Sequence, residues 1–411
     1  MKERSYLVFW LGQTVSVLGD VVAFVALPVW VYYLTGSKAA LGLSFATNVL
    51  PRLLLAPVAG VYVDRWDRRR TMITCDLLRA VALAGLFLVR DAGDVGLIYG
   101  VNFFNACVSR FYLPARNALI PDLVGTDKLV AANSLASVSE SAAQLVGPLL
   151  GGVLVTLGGP KSAVALDLVT FLLAALSLSS ITVKARADGA TDRTARRVTA
   201  DLVAGLGLAW KTTVLRYLLL TFCLVALAQG ALVTLLLPFL TEILGLPSDY
   251  FGVVVAVEGA GALVGGLLVG SLARRLKPET LFASSLLAVG LVLGLIVAAA
   301  DFGWLLCGLV VEGAVGVGVA IATTTILQAR VPEQFRGRVH SLWSMTSSVS
   351  MVGMMSAGLV ADAIGTRLAL VAAGALAALA GLVAFMTMSR GDVAHSSAAR
   401  PESVAPGVGL P

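Results

Sequence analysis

Four carboxylates stand inside long apolar stretches: Asp20, Glu140, Glu258 and Glu312. A charge at the centre of a hydrocarbon-spanning helix costs roughly 2.5 to 3.5 kcal/mol on insertion scales, so each calls for a compensating role. A carboxyl in such a place can exchange a proton or hold a solute, whereas an arginine beside it keeps it ionised. Asp20, Glu258 and Glu312 have no basic residue within a helical turn, and proton exchange, solute contact and plain hydrogen bonding stay open for each. Arg110 and Glu140 are expected at similar depth and are read as an ion pair. Arg52, one turn beyond Asn48, faces either a cavity or Asp20. Asp76 and Arg79 are read as braces for a neighbouring charged loop, and Asp167 as a hydrated residue near a helix end.

That loop runs from Gly60 to Arg70 and concentrates Asp64, Arg65, Arg68, Arg69 and Arg70 between two apolar runs. Arginines at this density cannot cross a low-dielectric bilayer, so the loop belongs to one aqueous face. Gly60 lets two helices approach, and Asp64 at a helix end can pair with basic groups in one conformation and release them in another. The bland reading is a charge cluster that only sets topology.

The elements that must position these residues are membrane helices. The chain is 58% hydrophobic and only 13% charged, with a mean hydropathy of +0.91, which no ordinary soluble fold could bury. A span needs about 20 apolar residues. Twelve are read, near 6–34, 40–62, 71–90, 95–115, 131–157, 162–183, 215–241, 249–272, 280–300, 303–328, 339–361 and 366–388. Continuous rather than alternating apolar runs exclude a barrel. With both termini inside, basic residues crowd the inner segments and only Lys38, Arg90, Lys161 and Arg367 lie outside. The net charge of +6 thus reports topology rather than nucleic-acid binding.

The predicted fold is an all-α integral membrane protein of twelve transmembrane helices in two pseudo-symmetric six-helix bundles, residues 1–183 and 215–389. A cytoplasmic linker, 184–214, joins them and carries an amphipathic helix at 201–211; the tail, 390–411, has the composition of a disordered segment. Gly60 with Gly270, Pro121-Asp122 with Pro332-Glu333 and Gly147 with Gly358 recur 210 or 211 residues apart. Six spans per repeat make it parallel, with a solute site expected at the midplane between the halves. Cys75, Cys107, Cys223 and Cys307 have no metal or disulfide spacing, no nucleotide phosphate loop is present, and His340 and His395 belong to no catalytic constellation. No metal, cofactor or enzymatic activity is expected.

The Gly60–Arg70 loop resembles the signature loop of the major facilitator superfamily of transporters. The segments Ala118-Leu119-Ile120-Pro121-Asp122-Leu123, Gly147-Pro148-Leu149-Leu150-Gly151-Gly152 and Val331-Pro332-Glu333-Gln334-Phe335-Arg336-Gly337-Arg338-Val339 are similar to those of its efflux branch, including enterobactin exporters and macrolide efflux proteins. Two departures stand out. Asp67 occupies a position where the loop often has Gly, and Arg274 stands in the second-half copy where Asp64 stands in the first. The resemblance implies alternating access by two bundles, with Asp64 and its arginines as a gating latch. It also implies that Gly147, Pro148, Gly151 and Gly152 form the bendable span-5 helix of exporters. The expected activity is export of a small amphipathic organic compound in exchange for protons, by a monomer in the bacterial plasma membrane. Its partners are then solute, protons and lipid, with no nucleic acid. Uptake or lipid flipping on the same fold is the alternative. A non-transporting scaffold or sensor would tolerate neutralised intramembrane carboxylates.

Overall fold

The computed structural model describes residues 2–63, 65–181, 207, 210, 212–272, 275–298, 301–331 and 349–388. For residues 2, 3, 52–54, 56–58, 60, 61, 126, 213 and 270–272 the backbone alone is described. Asp64, the expected linker helix apart from Gly207 and Trp210, the motif residues 332–339 and the tail therefore lie outside the described residues. So does the side chain of Arg52.

Regular structure among the described residues is helical, as a lipid solvent demands, because a helix satisfies its own N–H and C=O groups. In chain order the long helices are α1 (Lys2–Thr35), α2 (Lys38–Val63), α3 (Arg68–Gly85), α4 (Val95–Val124), α5 (Leu129–Gly158) and α6 (Pro160–Ser180). They continue with α7 (Thr213–Pro238), α8 (Phe251–Leu272), α9 (Pro278–Val297), α10 (Phe302–Arg330), α11 (Val349–Ile364) and α12 (Thr366–Met388). Nine helical stretches among the described residues are long and apolar enough to cross a membrane. Of the others, α11 is described over 16 residues, and α4 carries Arg110, Arg116 and Asp122.

Helix packing follows one pattern twice. In the first half α1 packs on α5 and α6, α3 on α4 and α6, and α2 on α4. Six helices later the same partnerships recur: α7 with α11 and α12, α9 with α10 and α12, α8 with α10. The two large contacts between halves, α2 with α11 and α5 with α8, exchange under the same operation. This is the contact map of a parallel repeat.

Close glycine contacts fix its register. An added Cβ would lie 2.6 Å from Val21 at Gly147 and 2.3 Å from the Leu227 carbonyl at Gly353; at Gly152 it would meet the Asp249 carbonyl, and at Gly358 the Lys38 carbonyl. Gly147 thus corresponds to Gly353 and Gly152 to Gly358, 206 residues apart in both cases. The expected match of Gly147 with Gly358 is therefore five residues out of register. Between α2 and α8 the shift is 210, since Gly42 and Gly252 pack on Met354 and Pro148 in equivalent ways. Those four extra residues fall in the α7–α8 connection, which holds a π turn at Phe239–Ile243.

The halves meet toward one end. Lys38 and Ala39 at the start of α2 abut Gly358 and Asp362 near the end of α11, while Gly152 in α5 abuts Gly252 at the start of α8. Lys38 forms a salt bridge with Glu242 at 3.0 Å, and that carboxylate also accepts from Tyr32 (3.0 Å) and Thr366 (2.8 Å). Among the described residues, the ion pairs at the opposite end, Arg68–Asp122 and Arg330–Glu279, each stay within one half.

Candidate functional site

At that opposite end, the arginine-rich loop acts through helix ends. Asp67, in extended backbone, caps α3 by accepting from the Arg70 amide at 2.7 Å, which gives the Gly-to-Asp departure a local reason. Arg68 bonds Asp122 at 2.7 Å and the Ala118 carbonyl on α4, and Arg69 donates to the Leu178 carbonyl at the end of α6. Cations on the last carbonyls of two helices favour the macrodipole and tie α3, α4 and α6 together. Arg65 and Arg70 are exposed.

A polar cavity of about 360 Å³ opens inside the first half, lined among others by Asp20, Asn48, Arg79, Asn102, Arg110 and Asp167. Arg79 forms an ion pair with Asp20 and lies 3.9 Å from the centre of the Phe171 ring. Asp76 and Asp167 also face Arg79, so the cluster sets three carboxyls around one guanidinium. This corrects three readings. Asp20 does have a basic partner, supplied by α3. Arg79 lines the cavity and pairs with Asp20, with Asp76 buried nearby, the two being 7% and 0% exposed. Asp167 is 2% exposed and accepts from Thr170 rather than from water. The expected Arg110–Glu140 pair is also corrected: Glu140 binds Arg116 at 2.7 Å, a residue further along α4, while the Arg110 guanidinium donates to Ser109 and to the Ala106 carbonyl.

The second cavity, about 700 Å³, lies between the halves. Phe24, Phe45 and Gln144 line both cavities and join them, and the rest of the second comes from Val25 of α1 and the second half. Its walls are chiefly apolar, with Glu258 and Glu312 set into them. The two carboxyls interact electrostatically across α8 and α10, and Gln229 of α7 lines the cavity beside them. Glycines permit this meeting. A Cβ at Gly313 would lie 2.1 Å from the Glu258 carbonyl oxygen, and one at Gly261 would lie 2.3 Å from that of Val310. Only glycine lets α8 and α10 approach so closely. Both glutamates stood out as costly residues in the sequence, yet their pairing across two helices did not. The spacing Glu258-x-x-Gly261 with Glu312-Gly313 is the signal that points to it.

On α5, the expected bendable motif serves packing. Gly147 and Gly151 admit α1, Gly152 admits α8, and Pro148 lies within the helix. Among the described residues, no cluster of metal-binding side chains occurs.

A helical membrane protein whose two repeated halves enclose a shared central cavity is built as a solute carrier. The chain belongs to the Major Facilitator Superfamily, whose sequence profile matches residues 9–351 and 218–407. It is 25% identical over 382 residues to macrolide efflux protein A of Streptococcus pyogenes, covering 89% of this chain and 91% of that protein. Over 399 residues it is also 25% identical to the multidrug efflux pump Tap of Mycolicibacterium fortuitum, covering 93% and 95%. The crystal structure of a bacterial homologue of the iron transporter ferroportin in an inward-facing state superposes with a TM-score of 0.76, at 18% identity over 94% of this chain and 99% of that one. That likeness shows the fold. The protein is a multi-pass membrane transporter rather than an enzyme.

Proposed function

We propose that the protein is a secondary active exporter of a small amphipathic organic compound, working by alternating access of two six-helix units, residues 1–183 and 215–389, in exchange for protons. The observation that carries this reading is the central cavity lined by both halves, which among the described residues touch toward one end. With both termini cytoplasmic, as the basic residues favour, the closed end faces outward and the cavity addresses the cytoplasm. The efflux names of full-length relatives support the direction. The Asp20–Arg79 cluster and the Glu258–Glu312 pair are the carboxylates available for coupling. At ~150 mV one proton supplies roughly 3.5 kcal/mol, enough for a few-hundred-fold gradient of a neutral solute by one-for-one exchange.

The test is uptake of a chemically diverse antibiotic and siderophore panel into inside-out bacterial membrane vesicles with a proton gradient imposed and then collapsed. Accumulation that vanishes on collapse is expected. Accumulation confined to right-side-out vesicles, or indifferent to the gradient, would move the reading to uptake or flipping.

A further inference from the structure

The two cavities are images of one another under the repeat. Arg79, Ser109 and Arg110 line the first, and 210 residues further on Val289, Val319 and Ala320 line the second. Between α1 and α7 the shift is 206, as the packing of Val21 on Gly147 and of Leu227 on Gly353 shows. Asp20 of the first cavity therefore has Ala226 as its counterpart in the second. One fold thus builds a polar wall in one half and a chiefly apolar wall in the other. Polar side chains inside a membrane are costly, and the second half fills these positions without them. The polarity of the first cavity answers to something other than packing.

Among the described residues that line it, three groups have hydrogen-bonding capacity left over. The Ser44 hydroxyl on α2, Asn105 Oδ1 on α4 and Arg79 Nε on α3 have no hydrogen-bond partner, although Ser44 is 0% exposed. Their counterparts 210 residues on are Val254, Val315 and Val289, which need none. The amide between them is engaged, since Asn102 donates to the Ser44 carbonyl at 2.9 Å and accepts from Asn48 at 3.3 Å. What is left over is mixed: an N–H that donates, a carbonyl that accepts and a hydroxyl that does either. A guest hydroxyl can satisfy each of them, because it both donates and accepts.

The charges lining the first cavity are two of each sign, Asp20 and Asp167 against Arg79 and Arg110. Asp20 pairs with Arg79, Asp167 accepts from Thr170, and Arg110 donates to Ser109. A charged guest would upset that balance where the dielectric is low, and a neutral one leaves it intact. At about 360 Å³ this cavity is at the small end for a ligand pocket, while the second, about 700 Å³, holds a larger apolar body. Phe24 and Phe45 stand where the two join, their ring centroids 5.6 Å apart, and form an apolar collar between the compartments.

We propose that the first cavity seats a neutral, hydroxyl-rich head group, a sugar ring being the simplest case, on a solute whose lipophilic body fills the second cavity. The carried compound is then an uncharged glycoside of an apolar core. Ser44 and Asn105 set the preference for the head, and the phenylalanine collar divides head from body. The inference deepens the export reading by naming its substrate class, and it rests on that reading for direction.

The probes are digitoxigenin and its monodigitoxoside, one steroid body without and with a single uncharged sugar. They are titrated by calorimetry into the purified full-length protein in lipid nanodiscs, with empty nanodiscs as the reference. The wild type is expected to bind the glycoside at least ten-fold more tightly than the aglycone, which leaves the site's polar groups unpaired. The test variant is Ser44→Val with Asn105→Val, the residues that the second half carries at these positions. There the glycoside is expected to fall to the affinity of the aglycone, with aglycone binding unchanged. A merely structural role would lower both ligands together. Equal affinity for the two probes in the wild type, or a variant that weakens both alike, would overturn the inference, and the first of these needs no variant to fold. The two readings fail separately. Gradient-driven vesicle export of other compounds, without any glycoside preference in binding, sinks this site and spares the exporter. Glycoside-selective binding with no vesicle accumulation of any compound spares the site and sinks the exporter.

Discussion

Arg79 is the residue on which the first half depends. Its guanidinium serves Asp20 directly, packs on Phe171, and is the cation that Asp76 and Asp167 face. Removing it takes away the cation these carboxyls share, and because the Asp20 side chain is 41% exposed the loss is expected to fall below the about 3 to 5 kcal/mol of breaking a fully buried pair. Arg79→Ala is therefore expected to lower the thermal midpoint of the detergent-solubilised protein sharply, with Arg79→Lys recovering part of the loss. An unchanged midpoint would mean that the cluster is hydrated and carries no structural energy. Asp20, Glu258 and Glu312 were legible in the sequence because charge in an apolar run is conspicuous. Their partners were not: Arg79 is 59 residues from Asp20 and Glu312 is 54 from Glu258. Periodicity along one helix says nothing about which neighbour turns toward it. The Arg110–Glu140 reading failed for the same reason, since depth alone does not decide between Arg110 and Arg116 when both lie on α4.

At the scale of elements, glycine contacts set helix spacing and thereby the site. The Gly313 position has the Glu258 backbone where a methyl would go, and a backbone carbonyl cannot rotate aside as a side chain can. Gly313→Ala is expected to destabilise by about 1 to 3 kcal/mol through overpacking. Gly294→Ala has open space and should be neutral or stabilising by up to about 1 kcal/mol, as a helix interior gains from alanine. Thermal unfolding of both variants side by side checks the pair, and similar midpoints would contradict tight α8–α10 packing. The helical character of the described segments was plain from composition, because apolar runs this long have few other solutions. Repeat register was harder. Matching like residues at one constant offset placed Gly147 opposite Gly358, but the offset rises by four between α7 and α8 and falls by four again between α10 and α11. Only the neighbours of each glycine reveal that α5 and α11 align 206 residues apart while α2 and α8 align at 210.

For the molecule as a whole, the closed end should behave as a seam that must part during transport. Across it the Ala39 amide donates to the Asp362 carboxylate at 3.3 Å. In a background lacking Cys75, Cys107, Cys223 and Cys307, an Ala39→Cys, Asp362→Cys protein is expected to cross-link with a short bis-methanethiosulfonate reagent. Vesicle transport should then stop and return with reductant. Transport that continues through the cross-link would show that this seam stays shut throughout. Glu242 lies within the π turn, in the stretch by which the second repeat outgrows the first, so its bond to Lys38 has no twin on the opposite face. On the export reading proposed above, an otherwise two-fold machine thereby gains a preferred resting pose: it would idle with its outer door bolted, leaving compounds already expelled no standing route home.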